Sequence, residues 1–215
     1  MSGRYLVIEG NDGTGKSTQV AMLAAYLQRR GHEVVVVEEP GSDDPDRSTP
    51  IANELRQLIK NGQLVRAPEI NVMLFSLARR ELWQDKIQPA LQRGAVVLSG
   101  RNYLSTIAYQ GYGEGVAEAE IIRLTRLCTA ERYMQPDATV ILTVPESLRR
   151  QRIGQRGQLG YVDAFESRTQ QFQNVVNQAY QAIAAAYQIP LVSAVGPAEQ
   201  VQQKILAKIG QQVVL

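Results

Sequence analysis

Gly10-Asn11-Asp12-Gly13-Thr14-Gly15-Lys16-Ser17 fits the pattern G-x-x-x-x-G-K-[ST], and its flanks decide how it is read. Before it, Tyr5-Leu6-Val7-Ile8 is a short apolar run that stops at Glu9-Gly10, as a buried parallel strand entering a loop does. After it, Val20, Leu23, Ala24 and Leu27 recur at helical spacing, and Arg29-Arg30-Gly31 supplies a cationic last turn and a stop. Strand, loop and helix in that order make a phosphate cradle. Glycines let backbone N–H groups turn toward phosphate oxygens, the helix N-terminus adds its dipole, Lys16 brings a charge and Ser17 an oxygen for magnesium. Gly10 through Thr18 are therefore the expected ATP-binding residues, and a bare Gly-rich turn is set aside on this context. The motif does not choose among kinases, GTPases, ATPases and motors. There is no Asn-Lys-x-Asp guanine signature, and the length leaves no room for a motor's added domains, so a small phosphotransferase is expected.

Outward from the loop the chain alternates. Val34-Val35-Val36-Val37, Ala95-Val96-Val97-Leu98, Ala138 to Val144 and Ile189 to Ser193 are further strand candidates. Helical patterns cover about Ile51 to Lys60, Pro68 to Gln92, Glu118 to Tyr133, a segment opening near Pro145, a long later helix and a C-terminal one. Glu39 to Pro50 is rich in Gly, Ser, Asp and Pro and reads as a loop. The expected fold is α/β of the P-loop NTPase type: a five-stranded parallel sheet with helices on both faces in three layers, right-handed crossovers, and sites at the strands' carboxyl ends. Residues 1–215 read as one domain, with a short lid at about 153–163 where Gly154 to Gly160 lacks periodicity and apolar content.

Composition narrows the partners. A chain of 215 residues that is 44% hydrophobic can bury one substantial core. A net charge of +2 offers no excess to neutralise a nucleic-acid backbone, so no nucleic-acid partner is expected. Met-Ser-Gly-Arg-Tyr lacks a secretory pattern, Cys128 cannot form an intramolecular disulfide, and no apolar run spans a bilayer; a cytoplasmic location and no membrane partner are the expectations. His32, Trp83 and Cys128 lack partner patterns and read as structural.

From the loop onward the sequence resembles the thymidylate kinase family over nearly its whole length. Ile8 to Gln19 looks like that family's phosphate loop, in which the position of Asp12 faces the acceptor's sugar hydroxyl. Glu39-Pro40-Gly41 is similar to an acidic-Pro-Gly element after the second strand, and Leu74-Phe75-Ser76-Leu77-Ala78-Arg79 to a helix whose aromatic stacks on the acceptor base and whose arginine bonds a base carbonyl. Ser105-Thr106-Ile107-Ala108-Tyr109-Gln110-Gly111 resembles a block that closes around base and sugar, and Pro45-Asp46-Arg47-Ser48-Thr49 a Pro-Glu-Arg-Ser-Thr element that binds the acceptor phosphate in some relatives. The physics of the residues agrees, since Phe75 offers a stacking face, Arg79 one turn on can donate to a base oxygen, and the Tyr109 hydroxyl can crowd a ribose 2′-OH. The plain alternatives are core roles for Phe75 and Tyr109, solvated charges at Arg79 and Arg47, and a helix N-cap at Ser48 or Thr49.

The resemblance implies transfer of the γ-phosphoryl group of ATP to dTMP with Mg2+, for deoxynucleotide synthesis, by a homodimer. The expected catalytic residues are Lys16, Arg101 and Arg156, with Ser17 at the metal; the expected acceptor residues are Asp12, Glu39, Pro40, Arg47, Phe75, Arg79, Arg101, Ser105, Tyr109 and Gln110. Three departures stand out. Ser99-Gly100-Arg101-Asn102 replaces the family's Asp-Arg-Tyr or Asp-Arg-His, so a carboxylate is missing at Gly100; Glu39 or Asp12 acting through a water is the expected substitute. Asp163-Ala164-Phe165-Glu166 lacks the arginine of Asp-Arg-x-Glu, and Gly13 stands where one subgroup has a catalytic arginine, leaving Arg156, then Arg152, to be delivered from the lid. These departures keep two alternatives open: a kinase for another deoxynucleoside monophosphate, or a nucleotide-binding homologue with weak or no transfer.

Overall fold

The computed structural model describes residues 3–155, 164–165 and 168–214. Five parallel strands, β1 (Arg4–Gly10), β2 (Val34–Val37), β3 (Val96–Ser99), β4 (Ala138–Thr143) and β5 (Leu191–Ser193), form one sheet in the order β2-β3-β1-β4-β5. The helices are α1 (Lys16–Arg29), α2 (Pro50–Lys60), α3 (Pro68–Leu82), α4 (Gln88–Gln92), α5 (Tyr103–Thr106), α6 (Glu118–Cys128), α7 (Glu131–Met134), α8 (Glu146–Gln155), α9 (Gln170–Ala186) and α10 (Ala198–Gly210).

Strand order dictates which helix covers which face. From β1 the chain steps over β3 to β2, and every later step runs the other way, so right-handed crossovers put α1 on one face and the connections from β2 to β5 on the other. The core divides accordingly. Leu6 and Ile8 of β1 and Leu98 of β3 pack with Leu23 and Leu27 of α1 and Ile205 of α10. Tyr5, Val7 and Val97, one residue out of phase on the same strands, pack with Val72, Leu82, Ile107, Val176 and Ile183 on the opposite face. Where the chain reverses direction, beside β1 and β3, the two strands send their connections to opposite faces and a crevice opens at their carboxyl ends.

The structure differs from these expectations in detail. The stretch Pro68 to Gln92 is helical throughout but loosens into a π-helical turn at Trp83–Ile87, just before Pro89, whose missing N–H deprives the helix of one bond. Glu118 to Tyr133 is two helices, parted at Thr129 and Ala130; the Thr125 and Thr129 hydroxyls donate to the carbonyls of Ile121 and Thr125, a local alternative to continuing the helix. Tyr103 to Gly113, which the sequence pattern left unassigned, is helical: Asn102 caps α5 by accepting from the Leu104 N–H at 2.9 Å, and a π-helical turn over Ile107–Gly113 follows. The fifth strand is shorter than expected, Leu191–Ser193, and Trp83 is core, edge-on to Tyr133. Among the described residues no helix is long and apolar enough to cross a membrane.

Candidate active site

The crevice is a cleft of about 490 Å³. At one end it is bounded by Arg152, Ala194, Gly196 and Val201, in the middle by the loop Asp12 to Thr18 and by Gly100 and Arg101, and at the other end by Glu39, Pro40, Phe75, Tyr109 and Gln110. Arg47 and Ser105 also line it, so of the sequence-selected acceptor residues only Arg79 is not on its wall.

The loop has the backbone that phosphate binding requires. Gly10, Gly13 and Gly15 have φ of 138°, 80° and 93°, a region that favours glycine. Gly13 is also hemmed in by α8: a Cβ there would lie 2.9 Å from the Arg149 carbonyl oxygen and 3.1 Å from Ile153 Cγ1. A side chain at this position has no room. Lys16 Nζ donates to the Asn11 carbonyl at 3.0 Å and stands 3.9 Å from Asp12 Oδ1, while Ser17 and Thr18 are exposed at the start of α1.

Arg101 is fixed by an unusual number of partners. Its φ of 134° is strained for a residue with a side chain, at a cost of about 1–3 kcal/mol. Bonds on either side hold it: Ser99 Oγ donates to the Arg101 carbonyl at 2.6 Å, and the Asn102 N–H to Glu9 Oε1 at 2.6 Å. The guanidinium donates from Nη2 to Asp12 Oδ1 at 2.5 Å and from Nη1 to Ser105 Oγ at 2.8 Å and to the Gly10 carbonyl and the Tyr180 hydroxyl, each at 3.2 Å. Burial works to lower its pKa, but the charge of Asp12 and the nearby oxygens hold it well above the usual value, so it stays cationic. Its Nε–H has no bond among the described residues.

Arg79 sits beneath the cleft rather than on it. Only 2% exposed, it donates from Nε to Glu39 Oε2, from Nη1 to Thr106 Oγ1 and from Nη2 to the Asn102 carbonyl, each at 2.9 Å. Tyr133 donates to the Glu39 carboxylate at 2.8 Å. Burial raises the Glu39 pKa against the pull of Arg79 and Tyr133. These partners hold the carboxylate from behind, and Glu39 also lines the cleft. Arg79 does keep the expected face in common with Phe75, with its guanidinium 5.6 Å from the ring centre.

At the same end, Phe165 packs between Phe75, at 5.8 Å between ring centres, and Tyr109, at 6.1 Å. The Tyr109 hydroxyl donates to Asn11 Oδ1 at 2.7 Å and lies 3.1 Å from Asp12 Oδ2; burial, then the Asp12 charge, pushes its pKa up, so it remains a donor. Gln110, fully buried, donates from Nε2 to Glu114 at 3.2 Å and leaves Oε1 without a partner among the described residues. Arg47 pairs with Asp44 at 2.9 Å at the cleft edge, and Thr49, not Ser48, caps α2, accepting from the Ala52 N–H at 3.1 Å.

Residues that the sequence reading passed over complete the cations. Arg56 and Lys60, one turn apart on α2, line the cleft, and that spacing was visible in the sequence. Arg152, the second choice for a delivered arginine, also lines it, donating to the carbonyls of Ala194 at 3.0 Å and Thr14 at 3.5 Å. Arg156 and most of the expected lid at 153–163 lie outside the described residues. No group of three or more His, Cys, Asp or Glu side chains suited to a metal occurs among the described residues.

Comparison with known proteins gives a consistent picture. A family model described as Thymidylate kinase matches residues 8–205. A thymidylate kinase of Clavibacter sepedonicus is 35% identical over 210 residues, covering 97% of this chain and 95% of the relative. Another, from Pseudomonas fluorescens, is 37% identical over 208 residues, covering 95% and 94%. Among solved structures, the thymidylate kinase of Ehrlichia chaffeensis has a TM-score of 0.74 at 24% identity, covering 96% of this chain and 98% of that one, a likeness that bears on the fold.

Proposed function

The chain belongs to the thymidylate kinase family, and from that premise we propose that it transfers the γ-phosphoryl group of ATP to dTMP, giving ADP and dTDP, through the residues of this cleft. The observation that carries the site assignment is one continuous cleft with the phosphate loop and Arg101 at its centre and a chemically distinct pocket at each end. Such a cleft aligns two nucleotides phosphate to phosphate.

ATP lies at the end bounded by Arg152, Gly196 and Val201, with its phosphates on the N–H groups of Gly13 to Thr18 and on Lys16. The acceptor lies at the Phe75 end. Phe75 supports the base and Gln110 Oε1 accepts from the N3–H of thymine, while Arg79, beneath the cleft wall, holds Glu39 and the Asn102 carbonyl in place. Asp12 and Tyr109 face the sugar, where the Tyr109 hydroxyl disfavours a 2′-OH. Arg101, with Arg47, Arg56 and Lys60 around the same space, holds the acceptor phosphate.

In the reaction an oxygen of the acceptor phosphate forms a bond to the γ-phosphorus as the bond to the bridging oxygen of ADP breaks. No protein atom is covalently involved. Lys16, Arg101 and a further arginine, Arg152 of α8 or Arg156, stabilise charge on the transferring oxygens, and alignment supplies much of the remainder. Magnesium suits the donor set: Ser17 presents an exposed hydroxyl, and few carboxylates are at hand, which matches an ion that keeps most of its waters and is held chiefly by phosphates. When bound, it neutralises phosphate charge.

We read the chain as one kinase domain working in the cytoplasm as a homodimer. Ile70, Met73 and Leu77 form an exposed apolar stripe on α3, at 43%, 46% and 48% exposure, beside Ile51 and Leu58 of α2. Sedimentation or light scattering should find twice the chain mass of 23.8 kDa. The function is tested by coupled ADP release with ATP and a panel of dTMP, dUMP, dCMP, dGMP and ribothymidine monophosphate. The highest kcat/KM is expected with dTMP, and a preference for any other acceptor would overturn the assignment.

A further inference from the structure

We propose that Tyr180 is a positioning residue for phosphoryl transfer, using its hydroxyl to tie Arg101 to the buried carboxylate of Glu9. The inference depends on the reading of Arg101 as a phosphate-holding residue. Tyr180 is on α9, 2% exposed, and does not line the cleft, so any part it plays in turnover passes through another residue.

Glu9, near the end of β1, is fully buried, and no ion pair to it is found among the described residues. Its carboxylate collects N–H donors from Gly10 at 3.1 Å, Asn102 at 2.6 Å and Ser105 at 3.2 Å, and hydroxyl donors from Ser105 at 2.8 Å and Tyr180 at 3.0 Å. The same two hydroxyls accept from Arg101 Nη1, Ser105 at 2.8 Å and Tyr180 at 3.2 Å, and lie 2.9 Å from each other. An anion and a cation are thus bridged by two hydroxyls, each giving its proton to one and accepting from the other. Without the bridge the guanidinium keeps Asp12 and the Gly10 carbonyl, both of which belong to the phosphate loop itself.

This arrangement separates two jobs. Asp12 lies on the loop that receives the nucleotide, whereas Glu9 and Tyr180 are buried beneath it and Ser105 stands between them and the cleft. Tyr180 therefore refers the guanidinium to a fixed point. Asn177, one turn before Tyr180 on the same face of α9, grips the other side of the loop by accepting from Asn11 Nδ2 at 2.7 Å, so one helix registers both the loop and the arginine.

The test is a double-mutant cycle on turnover with ATP and dTMP. Tyr180→Phe keeps the ring and removes the hydroxyl; about a tenfold loss of kcat is expected, as for a hydrogen bond to a charged group, with the KM for ATP within about twofold. In an Arg101→Lys background, the same change should cost less than about twofold in kcat, because the fork it positions is gone. A merely structural tyrosine would cost the same in both backgrounds, and that result, or full turnover in Tyr180→Phe alone, would overturn the inference. If Arg101→Lys itself keeps wild-type turnover, the site reading fails and the positioning role with it. Thermal unfolding of each variant checks folding. Should Tyr180→Phe fail to fold, Ser105→Ala removes the second bridging hydroxyl, and a Ser105→Ala loss of the same size in both backgrounds would equally overturn the proposal.

Discussion

Glu39→Gln should cost the fold far more than one hydrogen bond, and the reason lies in what it leaves behind. Arg79 Nε and Glu39 Oε2 are 2.9 Å apart with both side chains at 2% exposure or less. At an effective dielectric constant of about 20, a pair at that separation gains roughly 6 kcal/mol of attraction, which the cost of desolvating both ions largely cancels. The raised pKa of Glu39 says as much, since burial outweighs the help from Arg79. Removing the carboxylate charge does not relieve Arg79 of its burial, so the variant carries an uncompensated guanidinium at a cost of about 3–5 kcal/mol. The amide can still accept one bond, which places Glu39→Gln near the lower bound. For a chain of this size that is a fall of roughly 6–12 °C in melting temperature. The assay is calorimetry or denaturant unfolding of Glu39→Gln beside the double variant Glu39→Gln/Arg79→Met. The double variant should recover much of the loss, because the buried charge goes too. A single variant within about 2 °C of wild type, or a double variant less stable than the single, would refute the reasoning.

Lys16→Ala should abolish transfer, with kcat down by about a thousandfold or more while the melting temperature holds, since Lys16 belongs to the phosphate loop, where its Nζ donates to the Asn11 carbonyl beside Asp12; coupled ADP release with a thermal scan reads both. Gly100→Asp should fold, because Gly100 does not need a left-handed backbone and a Cβ there meets only Val20 Cγ2 at 3.5 Å, and the restored carboxylate should lower the magnesium concentration for half-maximal turnover by about tenfold. An unchanged magnesium titration would show that the missing carboxylate does not limit metal binding. The Glu146 pKa is held down to about 2, chiefly by its hydrogen bonds to Arg149, so it adds stability that is present above its ordinary value of about 4.5 and is lost as pH falls toward 2. Discounted for the 26% of its side chain that solvent reaches, the contribution is about 1–2 kcal/mol, and Glu146→Gln should flatten the acid limb of the melting curve between pH 5 and 2.

The sheet was legible because each strand is a short apolar run, and because the central strands β1, β3 and β4, buried on both faces, leave that pattern unbroken. Boundaries moved where side chains rewrote local bonding: Thr125 and Thr129 on the carbonyls of α6, and Pro89 in the continuation of α3. The site was legible where its chemistry is local, as in Gly10 to Thr18. Phe75 and Arg79 also announced themselves by spacing, yet their spacing could not say that Arg79 would be roofed over by Glu39, Thr106 and Asn102, which come from elsewhere in the chain. Tyr180 and Asn177 gave no signal at all. Their partners are 171 and 166 residues away, and on α9 a tyrosine and an asparagine at helical spacing look like any half-polar helix face.

Glu9 and Glu39 repeat one device. Strand order sets the carboxyl ends of β2, β3 and β1 side by side, so Glu39 just beyond β2 and Glu9 at the end of β1 flank the turn that follows β3. That turn is gripped from both sides: Glu9 takes the Asn102 N–H, and Arg79, itself held by Glu39, takes the Asn102 carbonyl. A single residue is thereby held at both of its backbone polar groups, by one buried carboxylate directly and by the other through an arginine. Arg101, whose φ of 134° is strained, immediately precedes that residue, and its own guanidinium bonds Asp12. The two arginines are therefore not independent, and the positions of both follow from the register of β1 and β3 rather than from the loops that carry them.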